Sequence, residues 1–466
     1  MTAHADFDDT HTRRIAEFVS GLRYEDIPGS VRTRIKLLVL DSLGCALYGA
    51  NLPWTRILQD TLGQIDTSTA CSVWGTAQRL SAPHAALVNG TQVQGFELDD
   101  VHRVGVLHVG AVTLPALIAA VEGAGPITGR EFLTAIVAGY EIGPRVGICM
   151  GQEHIGQGWH SGATLGVFSA AAGAARALGL DADRTQHALG IAGTQAAGLM
   201  AAQYGAMVKR MHAGRSSQSG LYGALFARDG FTGIRDVLEA PYGGFCTTFS
   251  RSTDRFDLAE LSDGLGERWE TEKIALKFYS CVGSNHTTLD AIRMIQARRP
   301  FTLDELDSIV VHGSQVTVDH VGWPYRPEGL TSAQLNLPFC VATLLIEGDV
   351  FVDQFTPDVV DNADRIALSR KVTCREDPAI TARGSQFRHM VRVEIRLIDG
   401  SVHEETVEAP RGSEKSFATE ADIVEKFMKL ATKALPEAQA RQLVEAVLGM
   451  DDLDDEGTLI DLLASS

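Results

Sequence analysis

The sequence predicts a mainly α protein with an α/β insertion: a large all-helical domain formed by residues 1–268 and 404–466, and a smaller α/β domain over 269–403. Three observations predict it. Apolar and small residues recur at helical spacing through the first part of the chain. Strict two-residue alternation appears only later, as in Val391-Arg-Val-Glu-Ile-Arg-Leu397. Helix signals return after Pro410-Arg-Gly-Ser413.

The elements follow in order. Thr128-Gly-Arg-Glu131 reads as a capping box, with Thr128 as N-cap and Glu131 returning the bond, and Phe132, Ile136 and Val137 continue at helical spacing. Gly162 to Gly179 is crowded with Gly and Ala, which lets neighbouring backbones approach; it predicts a central helix, ended by Gly179. A similar helix is expected from Gln186 to Ala202. Leu306-Asp-Ser-Ile-Val-Val-His312 and Gln315-Val-Thr-Val318 read as strands. Val391, Val393, Ile395 and Leu397 share one face of a strand; Asp399-Gly400 then predicts a type I′ turn into Val402-His-Glu-Glu-Thr-Val407. Thr419 caps one late helix, and Pro436 opens another at a first-turn position. No internal repeat is visible.

Composition narrows the function. At 466 residues the chain holds two or three domains and a large core. The net charge of −18 argues against nucleic acid and anionic membranes as partners, because both reward clustered Lys and Arg. It leaves room for a small acidic substrate held by a few cations in a cleft. Seven scattered cysteines without a C-x-x-C pair disfavour structural zinc and fit a reducing cytoplasm. The polar, acidic N-terminus does not read as a signal peptide, and Pro115, Glu122 and Arg176 break the apolar stretches that could span a membrane. There is no P-loop, no G-x-S-x-G elbow and no dinucleotide loop, and His403-Glu-Glu lacks the second His of a zincin. The expectation is acid–base chemistry without a cofactor.

Four segments carry candidate chemistry. Gly95-Phe-Glu-Leu-Asp-Asp-Val-His-Arg-Val-Gly-Val-Leu-His-Val-Gly110 sets Glu97, Asp99, Asp100, His102 and His108 inside core-like sequence, where ionisable groups are costly unless paired. His108 stands just before a buried helical run, where a helix N-terminus favours the neutral ring. His160, in Gly156-Gln-Gly-Trp-His-Ser-Gly162, repeats that setting. Lys209-Arg-Met-His-Ala-Gly-Arg215 gathers cations and His212 in an otherwise acidic chain, as a carboxylate-binding cluster would. Lys277, in Ala275-Leu-Lys-Phe-Tyr-Ser-Cys281, falls at the expected domain boundary, where clefts form.

In this order the four segments resemble the MmgE/PrpD family, which includes 2-methylcitrate dehydratase, cis-aconitate decarboxylase and iminodisuccinate epimerase. Asn89-Gly-Thr, Phe96-Glu-Leu-Asp-Asp-Val-His102, Gly139-Tyr-Glu-Ile-Gly143, Trp159-His-Ser-Gly-Ala-Thr-Leu-Gly166, the Lys209 block and Gly230-Phe-Thr-Gly233 carry the likeness over nearly the whole chain. The resemblance implies a helical domain made from both chain ends, an α/β lid, a homodimer and an interdomain site without metal. It implies that His108 and His160 are the catalytic histidines, Lys209 the active-site lysine and Lys277 the lysine entering the lid. Glu97 stands where the decarboxylase branch has Asp, Val101 where it has Thr, Val282 at a family histidine, and His320 near a lid tyrosine.

The sequence therefore points to a lyase, hydro- or carboxy-, acting on a small di- or tricarboxylic acid at the carbon beside a carboxylate. Lys209, Arg215 and Lys277 are expected to hold substrate carboxylates, with Glu97, Asp99, His212 and His320 also facing the substrate. His108 and His160 would exchange protons on either side. The rival readings are an isomerase or epimerase of a dicarboxylate, and a non-catalytic carboxylate-binding or scaffold protein.

Overall fold

Helix dominates the computed structural model, which describes residues 9–151 and 153–464. Long helices among the first 230 residues include Gly29–Gly49, Ala82–Val93, Val109–Ala124, Gly129–Met150, Gly166–Ala177, Ala182–Gly193 and Val208–Arg228. Thr128 and Glu131 form the expected capping box at the start of Gly129–Met150. That helix is long and apolar enough to cross a bilayer, but it lies almost wholly inside the protein. Glycine lets the central helices meet at backbone distance. A Cβ on Gly90 would stand 2.6 Å from Gly214 Cα, so Ala82–Val93 and Val208–Arg228 touch at this crossing. The contact fixes the helix carrying Lys209 against the one leading to Glu97.

Three apolar cores result among the described residues, and two of them position the site. The first joins Ile15, Leu38 and Val112 to Ile423, Phe427, Leu443 and Val447, so the two chain ends share one core. The second gathers Leu289, Ile292, Ile309, Val311, Phe339, Val393 and Ile395. It is built on a four-stranded sheet of order Val372–Glu376, Leu306–Gly313, Val391–Leu397, Val402–Val407. The first pair is parallel and the others antiparallel. Val391, Val393, Ile395 and Leu397 do lie buried on one strand. Phe96 and Leu98, from the helical part, insert into this second core and bring the acidic loop to the seam.

The structure corrects five local expectations. Residues 315–318 are not a strand but the start of the helix Gln315–Val321; the Ser314 side chain accepts from Thr317 N and nucleates it. The helix expected to reach Ala202 is Ala182–Gly193, after which the chain leaves regular helix until a short 3₁₀ turn at Met200–Tyr204. The Gly162 segment is two helices, Ser161–Thr164 and Gly166–Ala177, parted at Leu165. The hairpin loop spans three residues, Ile398 to Gly400. Gly400 alone among them takes positive φ, at 86°, and its N–H donates to Leu397 O at 2.9 Å. That is a turn closed by a left-handed glycine rather than a type I′ turn. Pro436 is the N-cap of Glu437–Leu448 rather than a first-turn residue.

Candidate active site

The loop after Ala82–Val93 places its carboxylates through backbone that is pinned on both sides. Glu97 has φ 58°, a left-handed conformation that costs a non-glycine residue energy. Its neighbours are tied down. Phe96 O accepts from Ser280 Oγ at 2.8 Å and Gln334 Nε2 at 3.2 Å, and Leu98 O accepts from Lys426 Nζ at 2.8 Å. Lys426 also pairs with buried Asp41 at 2.5 Å. The strained residue is thus fixed by contacts from three distant parts of the chain.

Glu97 is the hub of a buried cation cluster. Lys209 and Arg210 share its Oε1, Arg210 at 2.8 Å, while Lys277 approaches Oε2 at 3.3 Å. Burial alone would raise the Glu97 carboxyl, but Lys209, Lys277 and Arg210 outweigh it and hold the group well below the usual carboxylate range. Burial lowers Lys209 below the ordinary lysine range against the opposing pull of Glu97. Lys277 arrives through a short antiparallel pairing, Val101 opposite Ala275 and His102 opposite Ile274. Continuing that register sets Lys277 beside Asp99, 3.9 Å away.

The two histidines each precede a helix. His108 is the N-cap of Val109–Ala124, with Nδ1 3.0 Å from Asp99 Oδ2, an ion-pair distance that is out of line for a hydrogen bond. Asp100 instead accepts from Gly110 N at 3.0 and 3.1 Å and closes the helix N-terminus. Burial, then the charge on Asp99, pushes its carboxyl well above the usual range. His102 accepts from Gly105 N at 2.9 Å through Nδ1, so its Nε2 carries the proton toward Glu270, 3.1 Å away. Asp100 and His102 therefore shape the loop.

His160 is the N-cap of Ser161–Thr164, and its backbone N–H donates to Gly198 O at 3.1 Å. Ser161 Oγ donates to Val106 O, tying this loop to the one that carries His108. Val106 also has positive φ, at 50°, a second strained point two residues from a histidine. The His212 ring stands 4.8 Å from that of His160, tilted by 44°. Burial, then the nearby Lys209 cation, keeps His160 far below its ordinary value. Burial brings His212 and His320 down to about 4.

A cavity of about 720 Å³ opens here, and Glu97, His108, His160, Lys209, Lys277 and His320 all line it. Asp99 and His212 do not; they are buried behind His108 and His160. Arg215 is a correction. It is exposed, bonds Gln218 and lies away from the cavity. Six residues along a helix set a side chain about 120° around the axis from Lys209. The cations that sequence reasoning missed are Arg210, Arg103 and Arg388. Arg210 sat inside the basic motif and was legible; Arg388 lies in a stretch with no local signal. Among the described residues, no group of three or more His, Cys, Asp or Glu is arranged to hold a metal ion.

Buried cations around a strained carboxylate, on one cavity with His108 and His160, make a site for acid–base chemistry beside a carboxylate, the chemistry of a lyase. The sequence agrees at the family level. A profile described as the MmgE/PrpD N-terminal domain matches residues 13–257, and one described as the MmgE/PrpD C-terminal domain matches 279–452. The chain belongs to the MmgE/PrpD family. It is 36% identical to a cis-aconitate decarboxylase-like protein of Aspergillus oryzae, over 97% of both chains. It is 35% identical to the cis-aconitate decarboxylase of Aspergillus terreus, over 97% of this chain and 95% of that one. The 2-methylcitrate dehydratase of Escherichia coli is 21% identical over 88% of each chain.

Proposed function

We propose that the chain is a carboxy-lyase that removes carbon dioxide from a small tricarboxylate of the cis-aconitate kind. The observation that carries this reading is the Glu97 cluster: three cations on one buried carboxylate, on the same cavity as His108 and His160. When carbon dioxide leaves, the carbon keeps the electron pair of the broken bond. A neighbouring carboxylate must take up that charge, and Lys209 and Lys277 are placed to stabilise it. The carbon then takes a proton. Lys209, cationic and lowered by burial, is suited to give one; His160, held neutral, is suited to accept one. His108, steadied by Asp99, exchanges protons from the helix that starts beside it. The fungal relatives, alike over nearly their whole length, favour decarboxylation over dehydration.

The reading includes a lid. Residues 269–403 would close on a helical domain of 1–268 and 404–466, excluding water and strengthening each polar contact. In support, the cavity is lined by Glu97 and His160 from residues 1–268 and by Lys277, His320 and Arg388 from residues 269–403. It also includes a homodimer, supported by exposed Leu199, Met207, Phe226, Phe231 and Tyr242 along one part of the chain. Seven unbonded cysteines support a reducing compartment.

The test uses deuterated water and NMR, with cis-aconitate and 2-methylcitrate as substrates. The expected result is loss of carbon dioxide from cis-aconitate with one deuterium carried into the product. Loss of water from 2-methylcitrate without loss of carbon dioxide would replace this reading with the hydro-lyase. Exchange with no net loss would replace it with an epimerase, and binding without exchange would remove catalysis altogether.

A further inference from the structure

The cavity lining includes a further cation, which no carboxylate of the described residues neutralises. Arg388 and His389 both line the cavity, just before the strand Val391–Leu397. Their backbone is locked by three hydroxyls. Arg388 O accepts from Ser314 Oγ at 2.8 Å and Thr317 Oγ1 at 2.6 Å, and His389 O accepts from Thr287 Oγ1 at 2.6 Å. The side chains are ordered against each other, with Arg388 Nε donating to His389 Nε2 at 3.1 Å. An imidazole nitrogen that accepts carries no proton, so the ring's N–H is at Nδ1. His389 is 6% exposed, and its Nδ1 has no partner.

The other cavity cations each have a carboxylate partner. Lys209 and Lys277 share Glu97, and Arg103 holds Glu414 at 2.8 and 3.1 Å. Among the described residues Arg388 has no carboxylate within ion-pair distance. Burial, then the charge of Arg103, lowers it to about 10, which leaves it cationic at neutral pH. A half-buried guanidinium without a carboxylate partner stands beside a buried N–H without an acceptor, and leaving that N–H unpaired is costly. One carboxylate would satisfy both.

We propose that Arg388 and His389 Nδ1–H form a second carboxylate subsite. It takes the arm of the substrate remote from the Glu97 cluster and so selects tricarboxylates over dicarboxylates. The inference rests on the reading of the chain as a lyase of small polycarboxylates, and it adds the residues that set the size of the acid. Arg suits this place because its planar fork can grip a carboxylate with two bonds, which Lys cannot.

The test is equilibrium binding by calorimetry, with tricarballylate and succinate as probes. Succinate is tricarballylate without one acetate arm. In the unaltered protein tricarballylate should bind more tightly. Arg388→Gln should weaken tricarballylate about ten- to a hundredfold, the cost of losing a charge-assisted hydrogen bond. Succinate should change less than about twofold, within the range of a distant surface substitution. Arg388→Lys, which keeps the charge, should fall between. It also keeps the question open to test should the Gln variant not fold. Equal loss for both acids, or no loss for tricarballylate, would overturn the subsite while leaving the lyase reading in place. If the unaltered protein binds neither acid, the carboxylate reading itself fails.

Discussion

Glu97 sits in left-handed backbone because its surroundings over-determine it, and its charge is what the surrounding cations require. Glu97→Gln would leave Lys209 and Arg210 buried with no anion, and Lys277 with only Asp99, 3.9 Å away. The expected loss is about 3–5 kcal/mol in denaturant unfolding, the cost of stripping one partner from a buried ion cluster. A loss below about 1 kcal/mol would show that water reaches the cluster freely. His160 argues a second outcome. Its pKa lies well below 6.5, so the ring stays neutral as pH falls through the range where an ordinary histidine charges. The acid limb of kcat/KM owed to this ring should lie below pH 6.5, and a limb at or above 6.5 would contradict its burial. His160→Ala should cost about 10²–10⁴-fold in kcat with an unchanged far-ultraviolet spectrum. His108 and His160 were legible in the sequence because glycine-flanked histidines stood before apolar helical runs. Arg215 misled because charge clustering along the chain says nothing about which helix face a side chain takes. Arg388 and His389 were invisible because only the tertiary fold brings them to the cavity.

The late helix Glu420–Ala431 reaches into the site without touching the cavity. Its Lys426 holds Asp41, from Gly29–Gly49, and the carbonyl of Leu98, which stands between Glu97 and Asp99. Lys426→Met should cost about 3 kcal/mol, toward the low end for a broken buried pair. Asp41, already raised to about 6 by burial against the pull of Lys426, can protonate and limit the penalty. Adding Asp41→Asn should recover part of the loss, because both partners are then neutral. Lys429→Met, on the exposed face of the same helix, should stay within about 0.5 kcal/mol. Urea midpoints read all three, and equal effects for Lys426 and Lys429 would remove the positioning role. The helix itself was legible from Thr419 and its apolar spacing. The Gln315–Val321 helix was not, because its β-branched residues favour strand locally and the Ser314 cap, with packing, decided otherwise.

At the scale of the whole molecule the chain closes on itself. The last helices send Ile423, Phe427, Ala431, Leu443 and Val447 into the core that starts with Ile15. Gly44 makes room for this: a Cβ there would stand 3.0 Å from the Phe427 ring and 3.3 Å from its Cα. The return of helix after residue 410 was readable in the sequence, but its packing partner was not, since nothing local in Phe427 names Gly44. Burying four large apolar side chains contributes about 1.5–3 kcal/mol each, or about 6–12 kcal/mol together. That matches the 5–15 kcal/mol net stability typical of a domain, so the body should not fold without its tail. A chain ending at residue 410 should therefore lose cooperative thermal unfolding and expose apolar surface to a dye such as ANS. It should also lose the Lys426 contacts that fix the Glu97 loop. Adding a separate peptide of residues 411–464 should restore part of the cooperative transition, since the missing core is supplied by those residues alone. A shortened chain that still melts cooperatively near the full-length temperature would show that the first core is complete without its C-terminal helices.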